Sequence, residues 1–163
     1  MTICRYPVVL TLPVLITLVT VPATASILHE DEQSLQAVEE VLRQYKSALE
    51  ALDASETSML FTEDSRIYET GNYEGDYATY LSHHLAPELE HFEAFRFSDY
   101  TVEVRFEGPV AIASERYNYT IEIEGRDPIE RQGVATSVLR HVDDEWRIVQ
   151  MHNSGRPIRR PEE

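Results

Sequence analysis

The sequence predicts an α+β domain in which N-terminal helices cover one face of a strongly bent antiparallel sheet. Three observations support this fold class. The first half places apolar residues at helical spacing, the second half alternates apolar and polar residues, and short turn motifs separate the alternating segments. Helices that precede a run of hairpin strands pack together on one face of the sheet those strands form.

The first predicted helix lies within residues 31–55, and a second helix begins near Asp76. The apolar face of the first helix consists of Leu35, Val38, Val41, Leu42, Tyr45, Leu49 and Leu52. A short strand at residues 65–69 and a turn at residues 70–75 separate the two helices. Pro87 is expected to end or kink the second helix, because the residue before a proline avoids helical backbone angles.

Four long strands complete the predicted domain. Alternation of apolar and polar residues places them at residues 97–107, 109–124, 129–142 and 145–154. The intervening turns carry glycine, proline and aspartate, which suit hairpin connections. Period-two alternation puts Trp146, Ile148, Gln150 and His152 on one side of the last strand, and both of its sides are partly apolar.

The chain divides into a predicted signal peptide at residues 1–25, one domain at residues 26–155 and a flexible tail at residues 156–163. The first segment combines the single charge of Arg5, an apolar run and an Ala-Thr-Ala end, which is typical of a cleaved secretory signal. The apolar run is shorter than the roughly 20 residues of a membrane span. We therefore expect a secreted or periplasmic protein with no stable membrane anchor after cleavage.

Composition excludes several classes of function. The chain has 29 acidic and 14 basic residues, and its formal net charge of −15 disfavours nucleic acid as a partner. The only cysteine, Cys4, lies in the predicted signal peptide, so a cysteine nucleophile and a thiolate metal site are excluded from the mature protein. The sequence contains neither a phosphate-binding glycine loop nor a serine nucleophile elbow.

Four motifs and the order of the elements resemble the nuclear transport factor 2-like superfamily, and its SnoaL-like branch most closely. The motifs are LFTEDSRIYETG, YLSHHLAPEL, RQGVATSVLR and DDEWRIVQMHNS. The resemblance covers about residues 33–155. It implies a cone-shaped barrel of a strongly bent antiparallel sheet with N-terminal helices on its concave face. Proteins of this kind include isomerases, dehydratases, cyclases, hydrolases and noncatalytic binding or assembly modules.

His84 is the histidine of the second helix that is expected to face inward. It shares a helical stripe with Tyr80 and Leu81, whereas His83 points to water. The resemblance implies that His84 and His152 converge in the cavity. Some members of the superfamily carry a Glu-x-Gly loop, a His-His-Leu helix that ends in an acid, and a closing His-x-Ser motif. The resemblance implies that these motifs correspond to Glu69 with Gly71, to His84 with Glu88, and to His152 with Ser154.

These residue types suit two kinds of chemistry. His84, Glu88 and His152 could bind zinc or another divalent metal, because imidazole nitrogens and a carboxylate oxygen are suitable ligands. Without a metal, His84, His152 and Glu69 could transfer protons to and from a bound substrate. The residues predicted to bind that substrate are Tyr68, Tyr80, Tyr117 and Trp146.

Less specific interpretations remain open. A buried histidine beside a carboxylate can be a satisfied polar group of the core. Glu115 and Arg116 interrupt an apolar strand, and either reach the cavity or form a cross-strand ion pair with Glu130 or Arg131. The sequence therefore leaves two hypotheses. The first is an enzyme or metal-dependent pocket protein that acts on a small molecule, and the second is a noncatalytic ligand-binding or assembly module. A homodimer is expected in either case.

Overall fold

The computed structural model describes residues 23–158, with side chains from residue 32 onward. The helices are α1 (Ala23–Glu50), α2 (Tyr77–Tyr80) and α3 (Ala86–Leu89), with a 3-10 turn at Thr57–Leu60 and a π-helical turn at Leu81–Leu85. The strands are β1 (Phe61–Glu69), β2 (Asn72–Gly75), β3 (Ala94–Glu107), β4 (Val110–Glu122), β5 (Ile129–Val142) and β6 (Glu145–Pro157). Across the described residues, no helix has the length and apolar character needed to span a membrane.

The structure describes only parts of the predicted signal peptide and of the predicted C-terminal tail. Of the predicted signal peptide, only residues 23–25 are described, and they belong to α1. Residues 159–163 of the predicted tail also lie outside the described range. β6 continues to Pro157, so the strand includes the first two residues of that tail.

The strands of the described chain form one curved, unclosed sheet in the order β2-β1-β6-β5-β4-β3. Strands β3 to β6 are joined as antiparallel hairpins, and β1 lies parallel to β6 at the other side. The helices cover its inner face. The predicted α+β fold is therefore confirmed.

The core lies between α1 and the sheet. Val38 and Leu42 on α1 are almost fully buried, as are Ile67, Leu139 and Ile148 on three adjacent strands. Each such side chain contributes about 1.5–3 kcal/mol by leaving water. This packing fixes α1 against one end of the inner face and leaves the other end free to form a cavity.

The second helix does not end at Pro87. Asp76 caps its start by accepting a hydrogen bond from the Thr79 backbone at 2.8 Å. The helix then widens into the π-helical turn, where the Ala86 N–H bonds to the Leu81 carbonyl. Pro87 falls in the first turn of α3, where a missing N–H is tolerated. The wider turn therefore carries the helix through the proline.

The register of β6 also differs from strict alternation. Leu139 pairs with Ile148 and Val138 pairs with Gln150, so Val149 is an extra residue on β6. Such a β-bulge shifts the alternation by one residue beyond it. As a result, Ile148 and Met151 are both buried.

Candidate active site

A cavity of 480 Å³ lies between the helices and the inner face of the sheet. This volume falls in the range of small-molecule sites, roughly 300–1,000 Å³. Its apolar lining is largely aromatic and aliphatic. Its polar lining includes Lys46, Glu69, Tyr80, Glu88, Tyr100, Glu115, Tyr117, Tyr119, Arg131 and Asn153.

Two cavity carboxyls, those of Glu69 and Glu115, belong to one row across the sheet. Glu69 pairs with Asn153 on β6, Asn153 pairs with Ala135 on β5, and Ala135 pairs with Glu115 on β4. Three strand spacings separate the two backbones by about 14 Å along the sheet. Because the sheet curves around the cavity, both carboxyls face the same space from different sides.

Glu115 is a buried acid at the floor of the cavity. The residue is 9% exposed, and Tyr100 donates a hydrogen bond to its Oε1 at 2.5 Å. Burial raises the pKa of the Glu115 carboxyl, and the hydrogen bond from Tyr100 offsets only part of this rise. A carboxyl with a raised pKa holds its proton more firmly and can donate that proton to a ligand.

Gly133 and Gly155 provide space for two phenol rings of the cavity. A Cβ at Gly133 would lie 2.2 Å from Cε2 of Tyr117, and one at Gly155 would lie 2.2 Å from the Tyr119 hydroxyl. Any larger residue would overlap these rings. The two glycines therefore let Tyr117 and Tyr119 lie close against the sheet, which keeps the space above them open.

The second carboxyl, Glu69, belongs to a polar cluster at the rim of the cavity. Tyr80 donates a hydrogen bond to Glu69 Oε2 at 2.7 Å. His84 Nε2 lies 3.7 Å from Glu69 Oε2 and 3.5 Å from Glu88 Oε1, and its Nδ1 lies 3.6 Å from Glu74 Oε2. These separations exceed hydrogen-bond lengths, so the contacts are electrostatic. The imidazole therefore sits among several carboxylates.

The Glu88 carboxyl responds to both burial and its charged neighbours. Burial raises its pKa, the negative charges of Glu69 and Glu74 add to this rise, and a positive charge on His84 opposes it. The Tyr80 ring stacks on the His84 ring at 5.2 Å and restrains the imidazole. This cluster can accept or release protons beside the cavity.

The structure brings together part of the set predicted from sequence. Four of those residues line the cavity, namely Glu69, Tyr80, Glu88 and Tyr117. His84 lies at the rim with its side chain 30% exposed, and lines an adjacent surface depression with His83 and Pro87. The π-helical turn that carries His84 is a kind of irregularity often found at functional sites.

His152 and Tyr68 lie on the opposite, outer face of the sheet. Glu69 and Asn153 line the cavity, so their neighbours Tyr68 and His152 must point away from it. Tyr68 and His152 pair across β1 and β6, and their rings lie 6.3 Å apart. The expected convergence of His84 and His152 is therefore wrong, because the bulge at Val149 reverses the face of His152.

Trp146 also lies away from the cavity. Its ring packs on Phe106 at 5.7 Å and on His141 at 5.4 Å. Within residues 32–158, no group of three or more His, Cys, Asp or Glu side chains is arranged to hold a metal ion. The predicted ligands are not assembled, since His152 is on the outer face, while metal binding itself stays a prediction.

Sequence reasoning gave little weight to Glu115 and missed the role of Tyr100. Glu115 was visible as a charge in an apolar strand, and Arg116 next to it points outward to Glu103 at 3.3 Å. Tyr100 joins Glu115 because β3 carries an irregularity between Ser98 and Thr101. The sequence holds no clear signal for that irregularity.

A sequence profile of the SnoaL-like domain matches residues 38–159, which include the whole sheet and the C-terminal part of α1. The chain belongs to the SnoaL-like family. That assignment agrees with the inner cavity and with the order of the elements. No curated protein matches the sequence of this SnoaL-like protein.

Solved structures agree with the family assignment at the level of fold. A protein from Streptomyces avermitilis, named as a dehydratase of the NTF2-like family, is 19% identical, with 78% of this chain and 97% of that chain covered and a TM-score of 0.67. A protein from Novosphingobium aromaticivorans, named as a scytalone dehydratase, is 17% identical, with 81% of this chain and 97% of that chain covered and a TM-score of 0.66. A protein from Shewanella frigidimarina, named as a ketosteroid isomerase, is 22% identical, with 72% of this chain and 94% of that chain covered and a TM-score of 0.63.

Proposed function

We propose that this SnoaL-like protein is an acid–base enzyme that dehydrates or isomerises a small, largely apolar organic molecule. The observation that carries the proposal is the buried Glu115 carboxyl, whose pKa is raised, at the floor of an aromatic-lined cavity. It shares this cavity with the Glu69 carboxylate. An acid and a base that reach one bound molecule suit both reaction types without a covalent nucleophile.

In the proposed reaction, Glu69 removes a proton from a carbon next to a carbonyl group, and Glu115 gives its proton to the carbonyl oxygen. The product of this step is an enol. For isomerisation, Glu69 returns its proton to another carbon while the enol returns its proton to Glu115. For dehydration, the proton on Glu69 leaves with a neighbouring hydroxyl as water, and the enol proton again returns to Glu115.

The surrounding residues support these roles. The hydrogen bond from Tyr100 orients the Glu115 carboxyl, and that from Tyr80 orients Glu69. His84 Nε2 lies 3.7 Å from Glu69 Oε2, so the imidazole is placed beside the proposed base. The names of the similar solved structures, two dehydratases and an isomerase, favour the same reaction types.

Proton exchange provides a direct test. We would incubate the protein with 2-tetralone, a bicyclic ketone, in deuterated water and follow loss of the protons next to the carbonyl by NMR. Wild type should accelerate the exchange, and Glu69→Gln and Glu115→Gln should each reduce the acceleration by about 100-fold or more. His152→Ala, on the outer face, serves as the matched control and should behave like wild type.

A binding role without catalysis is the alternative. If 2-tetralone binds in the cavity but wild type does not accelerate the exchange, the acid–base proposal fails and a noncatalytic ligand-binding module is favoured. Ligand-induced changes of the amide NMR signals around Glu115 would show that binding. This alternative uses the same cavity and therefore cannot be distinguished by affinity alone.

We also propose that the protein forms a homodimer through the outer face of its sheet. Val134 on β5 is 49% exposed and Tyr73 is 61% exposed, which leaves apolar surface on that face. Analytical ultracentrifugation should then find a dimer in wild type and a monomer in Val134→Glu. A monomeric wild type at high concentration would contradict this assembly.

Export is the third part of the proposal. The sequence of residues 1–25 supports cleavage after Ala25 and a secreted or periplasmic location. Intact-mass analysis of the exported protein should find a chain that begins at Ser26. Recovery of the full-length chain from the cytoplasm alone would contradict it.

A further inference from the structure

Arg131 is a positive charge on the inner face of this acidic protein. It lines the cavity from β5, directly opposite Tyr119 on β4. Tyr119 lies four residues after Glu115 on the same strand, so Arg131 and Glu115 are separated by about 13 Å along the sheet. The cavity lining therefore holds a buried carboxyl with a raised pKa and, about 13 Å away along the sheet, a cation.

Arg131 has no carboxylate partner in the part of the chain that the structure describes. Among the described residues it takes part in no ion pair within 4.0 Å, whereas Arg96, Arg116, Arg140 and Arg147 each have one. Among the described arginines, Arg66, Arg126 and Arg156 likewise have no ion pair within 4.0 Å, but Arg131 is the one that lines the cavity. A half-buried guanidinium in this position can offer its paired donors to a ligand.

The field of Arg131 reaches into the cavity. Burial raises the pKa of the Tyr119 phenol, and the positive charge of Arg131 opposes this rise. The negative charges of Glu69 and Glu88 act on the same phenol in the opposite sense. The cavity is thus polarised, with Arg131 on β5 facing the carboxylates of β1 and α3.

The wall between Arg131 and Glu115 is aromatic. On β4, Tyr117 lies between the two positions, and Tyr119 and Phe97 lie in the same row as Arg131, with the apolar Ile121 and Ile129 beyond them. We propose that the substrate is an organic acid with a flat apolar body, whose carboxylate binds Arg131 and whose carbonyl or hydroxyl group reaches Glu115. This inference rests on the proposed acid–base function and adds the substrate class to it.

The two ends of the cavity would fix the orientation of such a substrate. A carboxylate is attracted to Arg131, whereas in the reverse orientation it would lie beside the Glu115 carboxyl, with the cavity cation Lys46 already paired to Glu50, so the reverse orientation is unfavourable. The forked guanidinium suits a carboxylate because it can donate two parallel hydrogen bonds. The neutral end of the substrate then lies where the proton-transfer groups are.

Calorimetric titration with a matched pair of probes tests the inference. The probes are 4′-hydroxybiphenyl-4-carboxylate and its carboxamide, which have the same shape and differ in charge at one end. Wild type should bind the carboxylate at least about tenfold more tightly than the carboxamide, because hydrogen bonds between charged groups are the stronger ones. Arg131→Gln should remove this preference, and Arg126→Gln, in an exposed turn, should retain it.

Each outcome is informative. Equal affinity of wild type for both probes, or a preference that survives Arg131→Gln, would overturn the assignment of Arg131 while the cavity function stands. Binding of neither probe would overturn the inference together with the ligand-binding role of the cavity. Thermal unfolding and circular dichroism of Arg131→Gln, matched to wild type, would confirm that the variant is folded.

Discussion

Replacing Gly133 by alanine should destabilise the protein and distort the cavity. The added Cβ would lie 2.2 Å from Cε2 and 2.8 Å from both Cδ2 and Cζ of the Tyr117 ring. Ordinary carbon contacts are about 3.5–4.0 Å, so the ring would have to move by roughly 1.3 Å. It has little room to do so, since it packs against Phe97 with centroids 4.9 Å apart and stacks on Tyr100 at 6.1 Å.

We expect a loss of about 1–3 kcal/mol in the free energy of unfolding, the usual cost of overpacking. This loss exceeds the gain of about 0.5–1 kcal/mol that alanine normally brings to a strand interior. Urea unfolding, followed by tryptophan fluorescence and circular dichroism, measures the change. The affinity for 4′-hydroxybiphenyl-4-carboxylate should fall as well, because the displaced phenol enters the cavity.

A double-mutant cycle isolates the cause. In a Tyr117→Ala background the obstructing ring is absent, so Gly133→Ala should be neutral or stabilising. An unchanged unfolding free energy for Gly133→Ala in wild type would refute the reasoning. So would a loss of the same size in both backgrounds, because the cost would then lie in the backbone rather than in the ring.

Three further predictions concern the polar groups. Burial raises the pKa of the Glu115 carboxyl in the folded protein. Wild type should therefore lose stability as the pH rises from the unfolded-state pKa of about 4.3 through the higher folded-state pKa. In urea unfolding, Glu115→Gln should be more stable than wild type at pH 8, and the difference should be smaller at pH 4. Tyr80→Phe removes the hydrogen bond to Glu69 and should lower the free energy of unfolding by about 1–2 kcal/mol, with an unchanged urea m-value. His84→Ala should slow proton exchange of 2-tetralone and His152→Ala should not, and equal effects of the two variants would contradict the assignment of faces.

The sequence was sufficient to predict the fold class, because its two periodicities report directly on burial. The three-four spacing of Val38 and Leu42 indicates the buried face of α1, and both are indeed in the core. The alternation in the second half gives the long hairpins. These features involve many residues at once, so a single irregularity does not obscure them.

The site was harder to predict because it depends on single irregularities. The bulge at Val149 turns His152 from the inner to the outer face, since a shift of one residue exchanges the two sides of a strand. The π-helical turn keeps Glu88 near His84 despite Pro87. Neither irregularity has a strong local sequence signal.

Glu115 could have been ranked higher from the sequence alone. It alternates with Ala113 and Tyr117, so it shares their face of β4, and Ala113 is fully buried. A carboxyl on the apolar side of a strand is either paired or functional. Its partner Tyr100 was not predictable, because the irregularity after Ser98 sets the direction of that side chain.

The most direct test of the proposed acid–base chemistry is the titration of the Glu115 carboxyl. Carbon-13 labelling of glutamate, with the Glu115 signal assigned by its absence from Glu115→Gln, would follow this group by NMR as the pH changes. We expect a midpoint above the ordinary glutamate value of about 4.3, and a further rise when an apolar ligand such as 2-tetralone fills the cavity. A midpoint at or below the ordinary value, unchanged by the ligand, would contradict the role of Glu115 as the proton donor.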